Sequence, residues 1–85
     1  MDIFEKEIAS IKNMNLHVQR DDAFGDREFY IIQERSGNRR WWTASWQGDG
    51  WYLMTGNQNR VVQEGGILGK KLVKAINDYK QKRAA

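Results

Sequence analysis

Between Phe29 and Tyr52 stand seven large rings, Phe29, Tyr30, Trp41, Trp42, Trp46, Trp51 and Tyr52, interleaved with Arg35, Arg39 and Arg40. Rings left exposed on a sheet stack on nucleic-acid bases, at about 1–3 kcal/mol per base, while neighbouring arginines pair with phosphates. The same residue types, Trp, Tyr and Arg, also anchor protein interfaces. So many rings in so short a segment exceed what one face of a small sheet buries. Either both faces are covered, or some rings remain to meet a partner.

A second stretch invites a chemical reading: Gly65-Gly66-Ile67-Leu68-Gly69-Lys70-Lys71. It precedes a helical pattern and ends in Gly-Lys, as a phosphate-binding loop does. That motif needs four residues between its glycines and a hydroxyl residue after the lysine. Here three separate Gly65 from Gly69 and Lys71 holds the hydroxyl position, so nucleotide hydrolysis is excluded. Phosphate contact without hydrolysis stays open, since free N–H groups at a helix start attract anions. Lys70 and Lys71 there oppose the helix dipole, and Lys74, one turn on, extends a basic stripe. The bland reading of that stripe is a solvated helix face.

Catalysis and metal binding find little support. The one histidine, His17, alternates away from Leu16 and Val18 on a short strand pattern, with no nucleophile or orienting group assembled around it. Asp21, Asp22 and Asp26 lack the alternating oxygen ligands and closing glutamate of a calcium loop and read as a solvated acidic loop. No catalytic residue, metal or cofactor is expected.

The chain has 85 residues and a net charge of +3, with no cysteine and no proline. That length reads as one small domain, residues 1–85, with little room for a deep cleft. Cysteine absence, an acidic amphipathic start rather than a signal peptide, and no long apolar run read as a cytoplasmic protein without a membrane partner. Charge is unevenly spread: residues 1–34 carry −4 and residues 35–85 carry +7. A basic region raises encounter rates with polyanions, although the acidic third could instead neutralise it internally.

The elements that would position these residues follow from periodicity. Asp2 and Glu5 read as a capping box ahead of Phe4, Ile8 and Ile11, giving a helix over residues 3–12. Leu16–Arg20 alternates as a strand and Asp21–Arg27 as a loop. Residues 28–35 form a strand, Ser36-Gly37-Asn38 a turn, and Arg39–Gln47 the returning strand. Gln47-Gly48-Asp49-Gly50 turns again, with Asp49-Gly50 expected to supply positive φ. Trp51–Thr55 is the next strand, Gly56–Asn59 a turn, and Arg60–Gln63 a last short strand. Leu68, Leu72, Ala75, Ile76 and Tyr79 then recur at helical spacing from Ile67 to about Arg83. The fold class is α+β: an N-terminal helix, an antiparallel meander of four to five strands, and a C-terminal helix packed on the sheet.

Alternation divides the aromatic segment. Arg40, Trp42, Ala44 and Trp46 share the face offered to the helices, so Trp42 and Trp46 read as core. Trp41 falls beside Arg39 and Thr43 on the other face, as a contact residue. Trp51 with Leu53 opposes Tyr52 with Met54, and which ring is buried stays open.

The glycine-containing loop followed by Lys70-Lys71-x-x-Lys74-Ala75 resembles the start of the last helix of double-stranded-RNA-binding domains, in which such lysines grip phosphates. The helix–strands–helix order is similar too, and the strands-then-helix unit is similar to PUR-repeat and Whirly-type single-strand binders. No residue role is carried over from these families. The expected function is nucleic-acid binding, single- or double-stranded, through Arg35, Arg39, Arg40, Arg60, Lys70, Lys71 and Lys74 for phosphates. Trp41, with Tyr30 or Tyr52, would stack. The alternative is a protein-interaction or inhibitor module, with a homodimer through the aromatic sheet face as its special case.

Overall fold

The computed structural model describes residues 3–25, 27–35, 39–57 and 60–84. The Asp2–Glu5 capping box, the Ser36-Gly37-Asn38 turn and part of the Gly56–Asn59 turn lie outside them. Helix α1 (Ile3–Lys12) leads into strands β1 (Leu16–Arg20), β2 (Phe29–Glu34), β3 (Trp41–Trp46), β4 (Trp51–Thr55) and β5 (Val61–Val62), followed by helix α2 (Ile67–Ala84). The five strands form one sheet in sequence order, every neighbour antiparallel. This is the expected α+β meander between two helices.

Register fixes what each face carries. Across one face run Val18, Ile32, Trp42 and Thr55, and beside them Arg20, Tyr30, Ala44, Leu53 and Val62. Against that face α2 sets Leu72 and Ile76, both fully buried, and the core is completed by Met14. Each such aliphatic side chain contributes about 1.5–3 kcal/mol on leaving water. Tyr30 sits in this core, edge-on to Trp51 at 5.8 Å and to Tyr79 of α2 at 5.9 Å. It is therefore no stacking ring for a partner. Leu53 is buried and Trp51 half-buried on the same side, which settles the β4 ambiguity and leaves Tyr52 facing out.

Two expectations need correction. Positive φ in the β3–β4 loop falls on Gly48, at 96°, rather than on Asp49-Gly50, and Gln47 N–H donates to the Gly50 carbonyl to close the loop. Trp46 lies on the helix-facing side as expected but is 38% exposed. It packs edge-on against Trp51, its cross-strand partner, at 5.2 Å. Alternation gives the face; it does not say how far a helix reaches along it.

Gly69 and Lys71 explain why the glycine–lysine stretch has its odd spacing. A methyl group at Gly69 would overlap the Gln63 carbonyl, so the glycine lets the first turn of α2 lie against the preceding loop. Lys71 Nζ donates to the Lys12 carbonyl at 2.7 Å, at the last turn of α1. A cation ill placed at the start of its own helix thus caps the end of another, where the dipole favours it.

Candidate functional site

Among the described residues, the core packs on one face of the sheet and no helix covers the other. Its strand positions, by register, are His17, Gln33 and Trp41 in one row, Gln19, Ile31, Thr43, Met54 and Val61 in the next, and Phe29, Ser45 and Tyr52 in the third. None of these eleven positions is acidic. Trp41 is 43% and Tyr52 46% exposed, while Val61 is exposed and Ile31 and Met54 are half-buried. Ser45 is buried among them, its hydroxyl accepting from Gln47 Nε2 at 3.0 Å.

Trp41 is held from beneath. Its carbonyl accepts from the Gly56 N–H at 2.8 Å, and its indole lies so close over Gly56 that any side chain there would overlap the ring. The glycine works as a flat seat that fixes the indole, so little rotamer freedom remains to be lost on contact. Trp41 and Tyr52 lie at opposite ends of the β3–β4 pair, since Tyr52 stands across from Ser45. Four residues along a strand span about 13 Å.

Arginines gather at the Trp41 end. Trp41 and Arg40 stand between two hollows: one of about 430 Å³ bounded by Ile31, Gln33, Glu34, Arg35 and Arg39, and one of about 500 Å³ bounded by Trp42, Thr55, Gly56, Asn57 and Arg60. Arg39 and Arg60 are exposed, and Arg39 has a positive φ of 53°. Arg35 Nη2 donates to His17 Nδ1 at 3.0 Å, so the histidine braces an arginine.

Arg40 is differently engaged. Its Nε lies 2.7 Å from Glu34 Oε2, its Nη2 3.4 Å from the Met14 sulfur, and its guanidinium 5.9 Å from the Trp42 ring centre. The Glu34 side chain is 5% exposed and that of Arg40 42%, so Arg40 neutralises a carboxylate sunk into the helix-facing side. Sequence reading missed this pair. A hairpin centred on residue 37 sets 34 opposite 40, so the signal was present in the turn.

The structure therefore divides the expected site residues. Arg35, Arg39, Arg40, Trp41 and Arg60 come together at one end of the sheet, Arg40 lining both hollows beside Trp41 while its Nε is engaged by Glu34. Lys70, Lys71 and Lys74 belong to α2, on the far side of the sheet. Lys71 is tied to Lys12, Lys74 lies 3.4 Å from Asp78, and Lys70 and Lys74 border a shallow hollow with Glu64 and Asn77. Among the described residues, no cluster of His, Cys, Asp or Glu could hold a metal ion, and no helix is long and apolar enough to cross a membrane.

Two side chains below the site have shifted titrations. Lys80, 2.9 Å from Glu28 Oε1 and hydrogen-bonded to it, holds that carboxyl below its ordinary range. Tyr30 donates its hydroxyl to the same carboxylate at 3.0 Å, and burial, reinforced by Glu28, pushes its pKa up to about 12. Both groups brace the core.

No family model matches the chain, and neither any curated protein nor any solved structure does.

Proposed function

We propose that the chain binds single-stranded nucleic acid across the open sheet face. Trp41 and Tyr52 stack on bases, and Arg35, Arg39 and Arg60 meet phosphates at the Trp41 end. One observation supports this most: two exposed rings and a basic end share a sheet face with no acid at any strand position. Such a face is an electrostatic and stacking platform without base-edge specificity. The gap between the rings suits a strand that stacks one base at each end with unstacked nucleotides between.

With three arginines engaged, log affinity falls with log salt at a slope of about −2. The test is fluorescence anisotropy of a labelled oligothymidine of about twelve nucleotides, titrated at low salt and across a salt series. Binding with that shallow slope supports the reading, and absence of binding at low salt ends it.

A second reading has its own observation. Ile31, Met54 and Val61 stand in one row across the middle of the same face, with Thr43 between the first two and the rings on either side. Two copies meeting face to face would bury it, as sheets do in a sandwich. Sedimentation at rising concentration separates the readings: a dimer that oligothymidine does not dissociate favours this one.

A further inference from the structure

The sheet has two edges, and they differ. β5 offers two residues, whereas β1 offers five, paired to β2 in unbroken register from Leu16 to Arg20. Pairing along β1 alternates. Arg35 N–H donates to the Asn15 carbonyl and Asp21 N–H to the Phe29 carbonyl, so odd-numbered residues of β1 face β2. The N–H and C=O groups of Leu16, Val18 and Arg20 consequently point to the free edge. An edge of this length without proline or bulge is a template for another strand.

Beside that edge runs a groove of about 420 Å³ between β1 and α2. Its floor is Met14, Leu16, Val18, Ala75 and Tyr79. Its rim carries Lys71, Lys74 and Lys82 against a single acid, Asp78, all on one helical stripe. Lys74 and Lys82 are exposed, so both can reach over an incoming chain.

We propose that this edge and groove take an extended acidic peptide of a partner protein by strand addition. The peptide's backbone pairs with Leu16, Val18 and Arg20, and carboxylates at alternate positions, all on the side facing α2, meet Lys74 and Lys82. The charge on the rim selects the occupant. A second copy pairing through the same edge would bring two lysine stripes together, which like charges oppose. The acidic peptide neutralises the stripe instead. The site lies away from the open face, so it stands or falls independently of nucleic-acid binding.

The test uses a labelled peptide of alternating Glu and Thr, about eight residues long, beside a Lys-Thr peptide of equal length. Anisotropy gives affinity, and amide hydrogen exchange gives location. The expected result is saturable binding of the Glu-Thr peptide alone, with slowed exchange at the Leu16, Val18 and Arg20 amides. The double variant Lys74→Glu with Lys82→Glu, both at exposed positions, lowers that affinity about tenfold or more while the native circular dichroism persists. Equal binding of the two peptides, unchanged affinity in the double variant, or protection on the open face instead would overturn the proposal. Protection of the same amides by raised protein concentration without peptide would overturn it too, because the occupant would then be a second copy.

Discussion

The two faces of this sheet are built from the same strands, often from adjacent residues, yet they do different work. Trp42 faces α2 and is buried, with the Arg40 guanidinium over its ring; Trp41, one residue earlier, lies open on the other side. Arg40 is bound to a sunken carboxylate, whereas Arg39 projects from a left-handed backbone position. Residue type thus says little about role here. Side chains of the same kind become framework or contact surface according to the parity of their position and to what lies opposite. In a chain of this size, one face is enough for the core, and the proposed contact lies on the other.

The sharpest way to break that contrast is to remove each ring. Trp42→Ala is expected to cost about 3–5 kcal/mol, as core truncations of this size do, against less than about 1 kcal/mol for Trp41→Ala. Chemical denaturation measures both. Equal losses would mean that the open face is part of the core. The arginines make a second pair. Arg40→Met takes the cation from a buried carboxylate and is expected to cost about 2 kcal/mol, below a fully buried pair because Arg40 is partly solvated. Arg39→Gly removes the same charge and relieves the positive φ, leaving stability within about 1 kcal/mol of the original or slightly higher. A smaller effect attends Trp46→Ala, at about 1–2 kcal/mol, because more than a third of that ring is already in water.

Protonation probes the covered face more gently. Tyr30 keeps its proton in the folded state until about pH 12, while the unfolded chain loses it near its ordinary value of about 10. Its contribution is therefore full below pH 10 and lost as pH rises from there toward 12. Glu28 runs the other way: its lowered value contributes stability above the ordinary 4.5, lost as pH falls through the folded value. Urea midpoints across pH should show both limbs, and Tyr30→Phe should flatten the alkaline one. An unchanged alkaline limb in that variant would remove Tyr30 from the account.

Much of the fold was legible because hydrophobic period and turn residues agree along this chain. Alternation separated Trp41 from Trp42 and put Leu53 opposite Tyr52 in β4, and helical spacing found Leu72 and Ile76. What alternation cannot express is cover. Trp46 has the parity of a core residue, yet it is left more than a third exposed. Nor does composition reveal engagement. Arg40 and Lys71 counted as free cations until register set one against Glu34 and helix packing set the other on the Lys12 carbonyl. Gly56 as the seat of Trp41 was readable in principle, since a turn centred between Gly48 and Asp49 sets 56 opposite 41. The division of the basic residues between sheet end and helix was not, because it depends on which face α2 covers.

The central claim is that the open face, and not the lysine-bearing helix, makes the contact. Oligothymidine affinity measured in two variants tests it most directly. Trp41→Ala with Tyr52→Ala should weaken binding by about thirtyfold or more, two stacks being lost, while Lys70→Ala with Lys71→Ala and Lys74→Ala should leave it within about threefold. The reverse pattern, binding abolished by the lysine changes and indifferent to the rings, would contradict the account.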